Sequence, residues 1–322
     1  MGTAPTIRDV WAAHRRIVGV AVRTPLTEAS ALSAAVGEAV LLKHEEMQAI
    51  GAFKMRGAAN TLLHLAELGP VPGVVTYSTG NHGMGVAYVA RRLGVPAHVC
   101  LPDVVPQTKL DGLRRLGAIV DLSGPTQEDA ARRAQELERE YGLFVVAPFD
   151  AVDVVAGQGT IGLELMEEDP EIDTVLVPLS GGGLLSGVAL AVKANAPGTR
   201  VIGVCAEGAR AMYESVRAGR PVDFMESPTL ADSLRGGIGM ENRHTLRMVR
   251  SLVDDIVLVS EQEIEQAMVF LLREERMVVE GAAAVGVAAL LTGRVRACSR
   301  TAVLITGRNV ASDVLRRLSA QI

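Results

Sequence analysis

Aromatic residues are scarce, at 3% of 322 (five Phe, four Tyr, one Trp), which removes the stacking platforms on which single-stranded nucleic acid is held. Positive charge is not in excess: 32 Lys and Arg against 37 Asp and Glu leave a net charge of −5 and a pI near 5.8, so no basic footprint exists for nucleic acid or an anionic membrane. Cysteines are few and odd in number. Cys100 ends one strand-like apolar run and Cys205 lies inside another, while Cys298 stands apart; buried inert thiols are expected rather than a disulfide framework. The apolar run Ala282–Thr292 falls short of the ~20 residues a bilayer demands. Met1–Val10 lacks a basic region followed by an apolar one, so no secretory leader is read and the expected compartment is the cytoplasm. His14, His44, His64, His82, His98 and His244 form no His-x-x-x-His pattern, and Cys-x-x-Cys is missing, so no metal is expected. Gly-x-Ser-x-Gly, a Ser-His-Asp order and a Walker loop are missing too.

What is present is an apolar chain, 48% hydrophobic and 21% charged, long enough for two lobes. Strand-like runs are read at Ala39–Lys43, Gly73–Tyr77, Ala97–Leu101, Ile119–Leu122, Phe144–Val146, Thr174–Pro178, Val201–Ala206, Ile256–Val259 and Ala302–Thr306. Helical patterns fall between them, at Gln127–Tyr141, Leu184–Asn195, Glu261–Arg273 and Asn309–Ser319 among others. Ser260 and Glu263 form a capping box before the third of these. Continuous apolar strands alternating with helices point to the α/β class, with two doubly wound, mainly parallel sheets covered on both faces. The series from residue 68 to 146 reads as a small domain. Residues 1–67 and 147–322 read as a large one, its sheet fed from both ends of the chain, with a ligand cleft between the two.

Four turns carry chemistry-bearing residues. In Gly51-Ala52-Phe53-Lys54-Met55-Arg56-Gly57-Ala58 a lysine stands at a helix start, where the macrodipole favours anions. Alone it reads as a solvated surface charge; in a confined apolar setting it is a candidate Schiff-base amine. Ser78-Thr79-Gly80-Asn81-His82-Gly83 joins a strand to a helix and offers hydroxyls, an amide, an imidazole and helix-start N–H groups to a carboxylate, or simply a helix cap. Ser180-Gly181-Gly182-Gly183-Leu184 lets backbone approach an anion closely, and suits one phosphate better than a pyrophosphate. Thr306-Gly307-Arg308-Asn309 brings a hydroxyl to the end of the last strand, and Glu280 opens another helix either as a plain helix-start carboxylate or as a site residue. One lysine, one phosphate loop and several hydroxyls together match what pyridoxal phosphate requires.

These four motifs, in this order, resemble the fold-type II pyridoxal-phosphate enzymes, the tryptophan synthase β-like class, and within them the serine/threonine dehydratases. The resemblance runs from Arg23-Thr24-Pro25-Leu26 to Thr306–Asn309. It implies that Lys54, beside Phe53, carries the Schiff base and takes the α-proton, that Asn81 faces the cofactor's ring oxygen, and that Gly181, Gly182, Gly183 and Leu184 hold the phosphate. Thr306 would meet the pyridine nitrogen, with Glu280 also on the cofactor. Ser78, Thr79 and His82 would line the substrate carboxylate pocket. The implied reaction removes water from L-threonine or L-serine to give a 2-oxo acid and ammonia, in a homodimer or homotetramer. Two departures bear on substrate. The last turn carries Arg308 where relatives carry Gly, a cation for a substrate group and a feature shared with a branch that acts in hydroxyectoine breakdown. Thr79 stands where racemases of this class carry a serine base, so an amino-acid racemase is an alternative, as is a non-catalytic cofactor-binding sensor. The racemase-type cation site needs a Glu, a carbonyl and an Asp; Glu207 and Ala211 match the first two, but Tyr213 occupies the third.

Overall fold

The computed structural model describes residues 4–78, 80–103, 105 and 107–322, except the side chain of Thr108. Its strands are β1 Leu26–Glu28, β2 Ala39–His44, β3 Val74–Tyr77, β4 Ala97–Leu101, β5 Ile119–Leu122, β6 Phe144–Val145, β7 Thr174–Pro178, β8 Arg200–Ala206, β9 Asp255–Val259 and β10 Arg300–Ile305. Its helices are α1 Ile7–Arg16, α2 Ser30–Val36, α3 Lys54–Leu68, α4 Asn81–Leu93, α5 Gln107–Arg115, α6 Gln127–Tyr141, α7 Val152–Glu168, α8 Gly183–Asn195, α9 Ala211–Ala218, α10 Thr245–Leu252, α11 Glu261–Arg273, α12 Gly281–Leu291 and α13 Ser312–Ser319.

Two sheets result. One has six strands in the order β1-β2-β10-β7-β8-β9, the other four in the order β5-β4-β3-β6. Every pairing is parallel except β1 on β2. The central strands β7 and β10 are buried almost throughout, which is why their sequences run apolar without alternation. The apolar α12, buried along nearly its whole length, is held between the six-stranded sheet and helices α2 and α11.

The chain order fixes where the chemistry goes. Because β10 lies between β2 and β7 and all three are parallel, the turns leaving their C-terminal ends are neighbours. Those turns are Glu45–Phe53, Thr306–Asn309 and Leu179–Gly182. β3 delivers the turn before α4 from the other sheet.

The class and the interior strands match the reading from sequence, and the periphery differs. The antiparallel edge strand β1 and helices α1 and α7 extend that reading. The last helix begins at Ser312, three residues later than expected, because Asn309 leaves the helical path to bond elsewhere.

Candidate active site

Lys54 is the first residue of α3, and the loop before it is fastened to the end of β10. Phe53 N–H donates to the Thr306 carbonyl at 3.0 Å and Arg308 N–H to the Gly51 carbonyl at 3.0 Å, with Ala52 and Gly307 bridged antiparallel between them. Gly51 has φ +73°, and a Cβ there would come within 3.0 Å of Asn309 Oδ1 and 3.2 Å of Arg308 Cγ. Only glycine satisfies both demands. The Lys54 amine donates to the Pro148 carbonyl at 2.6 Å and stands 5.3 Å from the Phe53 ring centroid. Burial disfavours its charge and lowers its pKa to about 8. Roughly a quarter of such an amine is neutral at pH 7.5, against about a thousandth for an ordinary lysine.

Two residues further along α3, Arg56 points the other way into the protein. Its guanidinium donates to Glu45 at 2.8 and 2.7 Å and to Glu164 at 2.6 and 2.8 Å. Lys43, fully buried, closes the group on Glu164 at 2.9 Å. Two cations face two carboxylates, so the net buried charge is near zero and Glu164 is held below its ordinary value. α3 also presses on α7 at a point where a Cβ on Gly157 would lie 2.7 Å from the Arg56 carbonyl. The base of Lys54 is thus fixed by ions and by close backbone contact.

The glycine loop is shaped from outside. A Cβ on Gly181 would lie 2.5 Å from the Phe149 ring, and one on Gly183 would lie 2.7 Å from the Phe149 carbonyl. Gly182 has φ +86° and faces Met212 and Thr245. The first intrahelical bond of α8 runs from Ser186 N–H to the Gly182 carbonyl, which leaves the N–H groups of Gly183, Leu184 and Leu185 without helical acceptors. Nearby α10 is the opposite case. Asp150 accepts from the N–H groups of Arg243, His244 and Thr245 at 2.5, 2.9 and 2.9 Å, so that helix start is already filled. An anion arriving here meets α8, not α10. Consecutive residues link this cradle to the lysine: Pro148 takes the Lys54 amine and Phe149 covers the loop.

At the head of α4, Met84 N–H bonds the Gly80 carbonyl, again leaving the N–H groups of Asn81, His82 and Gly83 unspent by the helix. His82 is buried, with Nε2 3.1 Å from the Val146 carbonyl, which makes Nε2 the protonated nitrogen. Its Nδ1 is buried without a partner. Burial and the nearby Lys54 lower its pKa to about 3, so the ring stays neutral and can offer a carboxylate only its main-chain N–H. Ser78 is half-buried, and the expected Thr79 lies outside the described residues.

Asn81 joins the two sheets. Its Nδ2 donates to both Glu280 oxygens, at 3.0 and 3.1 Å, and its Oδ1 accepts from Asn309 Nδ2 at 2.7 Å. Asn309 Nδ2 also donates to the Ile50 carbonyl at 2.9 Å. Glu280 carries no cation among the described residues. Burial, with Asp232 adding to it, raises its pKa to about 7 despite the Asn81 hydrogen bond.

The structure therefore gathers Lys54, Phe53, Thr306 and Asn81 around one set of turns, with Glu280 behind Asn81 and the loop Gly181–Leu184 tied in through Phe149. Arg308 is solvent-exposed and folded over Gly51. Sequence reading missed Pro148, Phe149, Asp150 and the partners of Arg56. Asn309 belongs to the Thr306–Asn309 turn, and the sequence alone gives it no role. The only sequence signal for Asn309 was an asparagine where the helix should have begun.

Residues 18–307 match the family described as pyridoxal-phosphate dependent enzyme. A Sinorhizobium fredii protein provisionally named a threonine dehydratase is 44% identical over 97% of this chain and 95% of its own. The L-threonine ammonia-lyase of Thermotoga maritima is 40% identical over 97% of this chain and 78% of its own. The solved structure of maize serine racemase superposes with a TM-score of 0.92 at 34% identity, covering 99% of this chain and 98% of that one.

Proposed function

The chain belongs to the pyridoxal-phosphate dependent enzymes and, within them, to the serine/threonine dehydratases, and from that premise we propose that it eliminates water from a β-hydroxy amino acid such as L-threonine or L-serine, yielding a 2-oxo acid and ammonia. One observation supports this most: a lysine amine whose pKa is lowered to about 8 is tied to Pro148, and the next residue, Phe149, covers a glycine loop with unspent helix-start N–H groups. An amine that is readily neutral and a single-phosphate cradle, held by the consecutive residues Pro148 and Phe149, fit this cofactor.

Gly181, Gly182, Gly183 and Leu184 would hold the phosphate, Lys54 the aldehyde carbon, and Thr306 the pyridine nitrogen through a neutral hydroxyl. When bound, pyridoxal phosphate supplies a conjugated ring that takes up the electron pair of the Cα–H bond. Lys54, released as a neutral amine, accepts the α-proton, and its burial favours that neutral state while the amine is free. The main-chain N–H groups of Asn81 and His82 at the start of α4 orient the substrate carboxylate, with Ser78 beside them. Exposed Arg308 over Gly51 stands ready for a second polar group on the substrate. The cleft between the 68–146 domain and the remainder, a homo-oligomeric state and a cytoplasmic setting belong to the same reading. No helix of the described residues is long and apolar enough to cross a membrane.

The test is a panel of hydroxy amino acids scored by 2-oxo acid release, with D-serine measured in parallel. Release without D-serine supports the dehydratase; D-serine as the main product makes the protein a racemase. Lys54→Ala should lower turnover by at least ~10³-fold, and normal turnover in that variant would overturn the lysine's role.

A further inference from the structure

Glu280 is a buried carboxylate that the proposed chemistry does not use, and its surroundings are unusually determined. The Ile50 carbonyl can only accept, so the Asn309 atom facing it at 2.9 Å is nitrogen. The same nitrogen is 2.7 Å from the Asn81 side chain, so the Asn81 atom there is oxygen. The Asn81 nitrogen must then face Glu280, as it does at 3.0 and 3.1 Å. One main-chain carbonyl thus sets the orientation of two amides. Because the two oxygens of Glu280 share a single direction from Nδ2, one Asn81 N–H is engaged and the other is left for an acceptor.

We propose that Glu280 is a positioning residue: together with Asn309 it aims the remaining N–H of Asn81 at the ring oxygen of the bound cofactor, and its proton sets how strongly that N–H donates. The proposal rests on the pyridoxal-phosphate reading above. Asn309 donates to the Asn81 oxygen and polarises the amide, which strengthens its N–H groups as donors. A negative charge on Glu280 opposes this, because an amide that already donates to an anion carries more electron density on its nitrogen and donates less through its second hydrogen. A protonated Glu280 removes that competition.

The groups facing Glu280 are compatible with a proton that comes and goes. Asn81 reaches it from α4, and Gly307 lies against it from the turn after β10, where a Cβ would be 2.7 Å from Oε1. Asp232 approaches from the short turn Asp232–Leu234 and is itself paired with Lys109 of α5 at 3.2 Å. No cation touches Glu280 among the described residues, and its pKa is raised to about 7.

The experiment compares full-length protein loaded with pyridoxal phosphate and its E280Q variant from about pH 5.5 to 8.5. It reads the absorption band of the bound cofactor and the cofactor dissociation constant. The wild type should show a spectral transition centred near pH 7 that E280Q lacks. N309A, at an exposed position, decides the aiming role whether or not E280Q folds: it should bind the cofactor roughly three- to tenfold more weakly, the loss expected when one neutral hydrogen bond stops restraining the amide. Superimposable pH series for wild type and E280Q, or unchanged cofactor affinity in N309A, overturns the proposal. A wild type that takes up no pyridoxal phosphate at all sinks the functional reading itself, which is a different and visible failure.

Discussion

Glu164 and Glu280 are two carboxylates of one fold, 2% and 3% exposed, and burial has left them in opposite conditions. Glu164 lies against Arg56 and Lys43, which hold it below its ordinary value. Glu280 has amides, the Ser233 side chain and a glycine around it, with Asp232 nearby, and is pushed up to about 7. Desolvation is the largest influence on both; at Glu164 the two cations overcome it, while at Glu280 only neutral hydrogen bonds oppose it and Asp232 adds to it. A buried acid with a cation becomes a strut that stays charged. A buried acid with amide partners becomes a group that titrates, and that one adjoins the site while the strut lies behind it.

The strongest way to break the comparison is to take the cation from the strut. Arg56→Met leaves Glu45 and Glu164 facing each other with only Lys43, and should cost about 3–5 kcal/mol of stability. Urea unfolding at neutral pH would reveal it as a large fall in the midpoint. Lys54 should suffer with it, since Arg56 anchors the first turn of α3, so cofactor uptake by the folded fraction should weaken as well. A midpoint within experimental error of wild type would mean that the ions contribute nothing net.

A smaller effect separates the two acids by pH. The folded-state pKa of Glu280, about 7, lies above the ordinary 4.5, so the folded chain keeps a proton that the unfolded chain gives up. That stabilisation is complete below about pH 4.5 and is lost as pH rises through 7, a change of about 3 kcal/mol. Glu164 runs the other way, because its pKa is depressed: its contribution is present above the ordinary carboxylate value and is lost as pH falls through its folded one. Unfolding of the cofactor-free protein at pH 5 and pH 8 should therefore show wild type losing stability relative to Glu280→Gln. Equal slopes in the two proteins would mean that Glu280 does not titrate where its surroundings imply.

The same contrast explains what could be read in the sequence. Apolar runs without alternation, such as Thr174–Pro178, announce interior parallel strands because nothing else buries both faces. Lys54, the glycines and Thr306 were legible as local motifs. The pairings were not: Arg56 meets Glu164 across 108 residues and Asn81 meets Glu280 across 199. A sequence displays charges but not which of them folding brings together. Helix α7 escaped for a related reason. Gly157, Gly159 and Gly162 look like breakers, yet each sits where another helix comes too close for a side chain, Gly159 with the Gly187 carbonyl 2.9 Å from where its Cβ would be.

The finest test leaves both acids in place and alters only their surroundings. Asp232 faces Glu280 and adds to its raised pKa, but it is exposed and paired with Lys109 at 3.2 Å, so solvent screens most of its influence. Asp232→Asn should move the spectral transition of the loaded enzyme down by roughly 0.3 pH units, the scale of one screened surface charge. Lys109→Ala should move it slightly up, because the ammonium that offsets Asp232 is gone. Opposite signs from two surface substitutions would locate the titrating proton beside Asp232, which only Glu280 satisfies among the groups around Asn81. Shifts of the same sign, or none in either variant, would mean that the titrating proton does not sit on Glu280.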